Sequence, residues 1–266
     1  MIIDFHTHIF PDNIAEKTIM KLSSLIHEKP YTNGTLQELK TSMKKAGVDY
    51  SVVLPVVTRP EQFRTVNQFA ADITGKDGIL SFGGLHPKSE RIKEELDDIA
   101  GLGLKGIKLH PDFQGMFIDD KRYIELITYA LQKGLMVVIH AGVDEGLPDP
   151  VHCPPDKAAY MIEQVGRYVS TEKIVLAHTG GLHMYNEVEK FLVGKDVYFD
   201  ISFSRIDISK EQITRIIQNH GADKILFGSD SPWDGQKECV EYVNTLSITE
   251  TEKQKILGGN AKELLF

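Results

Sequence analysis

The sequence predicts an α/β fold, a single domain over residues 1–266 built as a (β/α)8 barrel. Three observations predict it. Eight short, β-branched apolar segments run along the chain, and each is separated from the next by enough residues for a helix. The length of 266 residues suits an architecture that typically needs ~250. No linker-like change of composition, low-complexity tract or fixed-period repeat interrupts the series.

The eight segments are IIDFHTHI (2–9), SVVLPVV (51–57), ILSFGGL (79–85), GIKLHP (106–111), MVVIHAG (136–142), KIVLAHTG (173–180), VYFDIS (197–202) and ILFGSD (225–230). Near-continuous apolar runs of this kind belong to parallel strands covered on both faces. The intervening segments carry helical periodicity. In 120–133, Ile124, Ile127 and Leu131 share one face and Gly134 stands where a C-cap glycine would; Thr35 to Gly47 repeats the pattern with Leu36, Leu39 and Met43. Asn33-Gly34 ahead of that helix reads as a turn. Strand alternating with helix eight times, with right-handed crossovers, closes into a TIM barrel, whereas a doubly wound open sheet would be favoured by fewer strands. Two connections are long, 10–34 and 143–156, the second holding Pro148, Pro150, Pro154 and Pro155, and both are expected to overhang the mouth of the barrel.

Composition narrows the function. With 41% hydrophobic and 26% charged residues the chain is globular, and 30 Lys+Arg against 38 Asp+Glu leave a net charge of −8. That acidic balance argues against a sequence-independent nucleic-acid or membrane-surface binder. The opening MIIDFHTHIF has no basic, then apolar, export pattern, and no stretch approaches ~18 apolar residues, so a soluble cytoplasmic protein is expected. Cys153 and Cys239 are too few and too far apart for a disulfide framework or a CxxC metal site. No nucleotide-binding glycine motif or Gly-x-Ser-x-Gly elbow occurs.

Polar residues gather at the predicted C-terminal strand ends, where barrel sites are assembled. Asp4, His6 and His8 alternate along the first strand and therefore share a face. His140 ends the fifth strand, His178 the sixth and Asp230 the eighth. Neutral imidazoles with a carboxylate suit zinc and related divalent ions, and a catalytic site of this type keeps a position open for a water whose pKa falls to about 7. One histidine alone reads as a hydrogen-bonded interior imidazole; several ligand-type residues at strand ends point to a metal, because burying so many unpaired polar groups is costly.

These residues resemble the amidohydrolase superfamily, and within it the amidohydrolase-2 branch similar to aminocarboxymuconate semialdehyde decarboxylase. The resemblance covers nearly the whole chain and rests on DFHTHIF (4–10), VIHAG (138–142), LAHTGG (176–181), FGSDSPW (227–233) and GGNAKELL (258–265). It implies that His6, His8, His140 and Asp230 bind the metal, that His178 lies beside it to polarise substrate or meet a second metal, and that Asp230 exchanges protons with the activated water. One zinc per chain is the expected complement. The fourth strand is ambiguous: Lys108 and His110 share a face, and in relatives such as dihydroorotase a similarly placed lysine is carboxylated and bridges two metals. Otherwise Lys108 is a cation for an anionic substrate group or a salt-bridged barrel lysine.

His110, Arg205 and Trp233 are further substrate-binding candidates, with Phe5 and Phe10 as apolar wall. His86, His152, Cys153 and His183 are lesser ones, since a cysteine nucleophile needs a paired base. The leading reading is hydrolysis of an amide, ester or lactone carbonyl of a small molecule by water activated at the metal. The alternative is non-oxidative decarboxylation of a small unsaturated or aromatic acid at the same site. A nuclease of the kind seen in TatD-like barrels is disfavoured because those are expected to carry a glutamate where this chain has Lys108 and because the acidic balance gives no electrostatic footprint; a non-catalytic scaffold is disfavoured by the presence of every ligand type. The expected partners are a small, anionic substrate and a second copy in a homodimer, with neither nucleic acid nor membrane.

Overall fold

The structure is a computed structural model that describes every residue except His27 and Pro148; Pro148, one of the prolines of the long fifth connection, lies outside the described residues. Among the described residues there are nine strands: β1 (Ile3–Thr7), β2 (Tyr50–Val53), β3 (Ile79–Ser81), β4 (Gly83–Gly84), β5 (Gly106–Leu109), β6 (Met136–Ile139), β7 (Ile174–Leu176), β8 (Tyr198–Asp200) and β9 (Ile225–Leu226). Helices lie between successive strands except between β3 and β4, and no described helix is long and apolar enough to cross a membrane.

The contacts fall into two compact units, each discontinuous in sequence: Met1–Val53, Gly75–Leu80 and Asp200–Phe266 form the first, Leu54–Thr74 and Ser81–Phe199 the second. In the first unit β1 pairs in parallel with β2. Phe5 donates to the carbonyl of Phe227 at 2.8 Å, just past β9, and Ile201 donates to Leu226 at 3.0 Å. In the second unit β4, β5, β6, β7 and β8 pair in succession, all parallel, with Ile107 opposite Val137 and Val138 opposite Val175. β5, β6 and β7 are buried at every position, as parallel strands covered on both faces must be.

The helices follow the periodicity of the sequence. Lys121–Gln132 starts at Asp120, whose side chain accepts from the Arg122 N–H, and buries Tyr123, Leu126, Ile127, Ala130 and Leu131 along one face. Each large apolar side chain so buried contributes about 1.5–3 kcal/mol. Leu36–Ala46 is capped by Thr35, whose side chain accepts from Glu38, and stops at Gly47 with φ 71°. Asn33 accepts from the Thr35 N–H at 3.0 Å, closing the turn expected at Asn33-Gly34.

The structure departs from the predicted strands in two ways. The third is split into β3 and β4, because side chains take bonds a ladder would use. Thr74 Oγ1 accepts from Ser81 N at 2.6 Å, and Asn67 both accepts from Gly84 N at 3.0 Å and donates to Gly84 O at 2.7 Å. The strands also end earlier than the apolar runs do. His178, Thr179 and Asp230 have φ of 58°, 54° and 65°, so the chain leaves extended geometry at the residues that carry chemistry. Non-glycine residues hold such angles only where surrounding structure enforces them.

Candidate metal centre

The first unit builds a three-atom cradle from β1 and the turn after β9. His6 Nε2 is 3.1 Å from His8 Nε2, and Asp230 Oδ1 lies 3.3 Å from the first and 3.1 Å from the second. Asp230 donates its N–H to the His6 carbonyl at 2.8 Å, and His8 donates to the Ser231 carbonyl at 2.6 Å, so the backbone fixes the two segments side by side. Gly228 permits the approach: a Cβ there would lie 2.8 Å from His6 Cβ and 3.2 Å from Ser202 Cβ.

The outer nitrogen of His6 faces a carboxylate. His6 Nδ1 is 2.9 Å from Asp200 Oδ2 and 2.9 Å from Ser202 Oγ, while the Ser202 hydroxyl bonds to Asp200 Oδ1. Asp200 can only accept while ionised, so His6 carries its proton on Nδ1 and turns the Nε2 lone pair toward His8 and Asp230. With Nε2 and Asp230 Oδ1 both presenting lone pairs, one proton on His8 could bridge only one of them. A divalent cation satisfies all three: ligands ~2.0–2.1 Å from an ion stand roughly 2.9–3.4 Å apart. The donor set therefore fits a divalent metal. Below it, Asp4 anchors the strand, accepting from Ser229 N and Oγ and from Gln236 Nε2 at 2.9, 2.6 and 2.8 Å. Burial pushes Asp4 up to about 6 against these bonds.

The second unit holds His110, His140 and His178. His140 Nδ1 is 3.0 Å from His178 Nε2. The rings of His110 and His140 stack 4.1 Å apart and 6° from parallel. His110, His140 and Asp144 offer ligand atoms within 4.8 Å of one another. Stacked rings, however, direct their in-plane lone pairs alongside each other instead of to one point, so these three do not form a ligand set. His110 instead caps the short turn after β5: its Nδ1 accepts from Phe113 N at 3.5 Å, leaving Nε2 for Asp144 Oδ2 at 3.4 Å.

Lys108 is 1% exposed in β5, between Gly84 and Val138. Gln114 ties the strand ends together. Its amide donates to the carbonyls of Val57 and Leu85 at 2.9 and 2.8 Å, and its oxygen accepts from His110 N and the Tyr123 hydroxyl at 3.1 and 2.7 Å.

Arg205, placed by sequence as an anion binder, is engaged by Asp234, with Nε 3.0 Å from Oδ2 and Nη2 2.5 Å from Oδ1. Trp233 is half-buried and its N–H donates to the Asp230 carbonyl at 2.8 Å. Cys153 is fully buried, and desolvation pushes its thiol well above the usual range, so it does not supply a thiolate. His86 is buried, its Nδ1 accepts from Lys88 N at 3.1 Å, and desolvation lowers its pKa. His183 pairs with Glu145. Two participants went unread in the sequence: Asp200 and Gln114. Asp200 had a signal, a carboxylate at the end of the seventh apolar run.

A histidine–carboxylate metal cradle on parallel β/α units defines a metal-dependent enzyme class. The chain belongs to the amidohydrolase family, whose model matches residues 3–266. No curated protein sequence matches. Solved structures show that the fold is the TIM barrel. A TIM-barrel protein from Bordetella bronchiseptica is similar with TM-score 0.74 and 19% identity, covering 99% of this chain and 98% of its own. A 5-carboxyvanillate decarboxylase from Sphingomonas paucimobilis is similar with TM-score 0.70 and 15% identity, with coverage of 99% and 98%. A dihydroxybenzoic acid decarboxylase from a Polaromonas species, solved with bound manganese and the inhibitor 2-nitroresorcinol, gives TM-score 0.70 and 16% identity, with coverage of 99% and 96%.

Proposed function

We propose that this protein is a metal-dependent hydrolase of a small molecule, acting on an amide, ester or lactone carbonyl. The observation that carries the reading is the triangle of His6 Nε2, His8 Nε2 and Asp230 Oδ1 with sides of 3.1–3.3 Å. We assign these three residues to a zinc ion or a similar divalent cation; membership of His140 in the set rests on the sequence resemblance. When bound, the metal supplies Lewis acidity and lowers the pKa of water.

The chain's own residues do the rest. Asp200 holds the proton on His6 Nδ1 so that the ring stays a neutral ligand. The Asp230 carboxylate accepts the proton released as water becomes the nucleophile and returns it to the leaving group. His178 donates from its ring to the oxygen that gains charge, an interaction whose loss typically costs ~10²–10³ in rate. Lys108 holds an anionic group of the substrate, whereas both ring nitrogens of His110 are engaged by Phe113 and Asp144.

A second reading keeps the same residues and performs non-oxidative decarboxylation. It is favoured by the decarboxylases among the similar solved structures. The test is a screen of small lactones, amides and unsaturated or aromatic acids with the zinc- and manganese-loaded protein in ¹⁸O-water. Hydrolysis places solvent oxygen in the product acid, whereas decarboxylation releases carbon dioxide and a product one carbon shorter. Turnover that survives in His6→Ala would overturn both readings.

A further inference from the structure

We infer that Asp112 is the positioning carboxylate of His140, standing to that histidine as Asp200 stands to His6. This rests on the proposed metal chemistry, but its evidence lies entirely within the second unit. Asp112 follows β5 by three residues, and its side chain is 0% exposed. Oδ1 is committed to the loop after β6: it accepts from the His152 backbone at 2.9 Å and lies 3.1 Å from His152 Nδ1. Oδ2 is buried and takes no hydrogen bond, which is costly for a carboxylate oxygen unless a donor or cation completes it. His140 Nε2 lies 3.9 Å from it.

The other nitrogen of His140 faces differently: Nδ1 is 3.0 Å from His178 Nε2. Imidazoles that serve as ligands almost always give their second N–H to a carboxylate, a carbonyl or water, and this fixes both tautomer and ring plane. Asp112 would take the Nε2–H of His140 and leave Nδ1 as the lone-pair nitrogen. A shift of less than 1 Å turns 3.9 Å into an ordinary hydrogen bond. The stacked ring of His110 holds the imidazole plane while this happens. His152, through its two bonds to Oδ1, holds the carboxylate. The chain has thus placed a carboxylate on the far side of a histidine in each unit, on residues 112 and 200 that share no motif.

Two readouts test this on the full-length protein with histidine ¹⁵N-labelled, His140 being assigned with His140→Asn. Long-range ¹H–¹⁵N spectra should show His140 as the Nε2–H tautomer, both zinc-loaded and after chelation, with the Nε2 proton shifted downfield and protected. Asp112→Asn keeps shape and the Oδ1 acceptor but puts an amide donor where Oδ2 was. It should move that proton upfield, and weaken zinc binding measured against a chromophoric chelator by about 10–100-fold. His140 found as the Nδ1–H tautomer, or a variant with the wild-type proton shift and zinc affinity, would overturn the inference. The tautomer can be read without zinc, so failure here is distinct from failure of the metal reading, which shows as a wild-type protein that binds no zinc.

Discussion

Asp200 Oδ2 lies 2.9 Å from His6 Nδ1, and both side chains are essentially removed from solvent. That contact decides which nitrogen of His6 is available to a cation, and it spans 194 residues of sequence. The carboxylate therefore sets the ligand character of a histidine without touching the ion.

Asp200→Ala should accordingly retain the fold and weaken zinc binding by about 10–100-fold, the usual cost of losing such a partner. Asp200→Asn should fall between, since its oxygen still accepts but carries no charge. Competition with a chromophoric chelator measures both. Wild-type affinity in Asp200→Ala would show that Ser202, also 2.9 Å from Nδ1, suffices to orient the ring.

Gln114 makes a separate prediction about the second unit. Its amide supplies the donors for the buried carbonyls of Val57 and Leu85. Gln114→Glu keeps the shape and turns both donors into a charge facing carbonyl oxygens, so it should destabilise the protein by roughly 2–4 kcal/mol. Denaturant unfolding reads this directly. A loss below about 0.5 kcal/mol, ordinary for a surface change, would mean that water replaces the amide.

Much of the fold was legible because burial on both faces leaves a plain mark: the β-branched runs around Val52, Ile107, Val138 and Val175 needed no partner to be recognised. The caps at Thr35 and Gly47 were legible for the same local reason. His6, His8 and Asp230 stood out because ligand-type residues at apolar strand ends demand an explanation. What escaped depends on partners distant in sequence. Asp200 and Asp112 act on histidines 194 and 28 residues away, and an aspartate reads alike whether it faces a histidine or water. Arg205 looked available because its partner, Asp234, lies 29 residues on. The split between β3 and β4 hangs on Asn67, a helical side chain that no strand pattern discloses.

Glu95 gives a pH dependence. It is buried in the helix Ile92–Gly101, and desolvation raises its carboxyl above the ordinary value of 4.5, partly offset by Ser89 and Arg91. The folded state therefore holds a proton that the unfolded chain gives up as the pH rises through 4.5. Between the unfolded and folded values the unfolded state binds fewer protons, so this group's contribution to stability falls with rising pH. Glu95→Gln removes that fall, and the melting temperature of the variant minus that of the wild type should increase from pH 4.5 to pH 7. A difference that stays flat would show that Glu95 is ionised in the fold at ordinary carboxylate pH.

The central claim is that His6, His8 and Asp230 hold a divalent ion, and elemental analysis of the purified protein beside its single variants tests it most directly. The wild type should carry close to one zinc or similar ion per chain, removable by a chelator with a fall in melting temperature and restored on adding zinc. His6→Ala, His8→Ala and Asp230→Ala should each lose it while remaining folded by circular dichroism. Stoichiometric metal retained in all three variants, or a wild-type protein that neither contains a divalent ion nor gains thermal stability from one, would contradict the account.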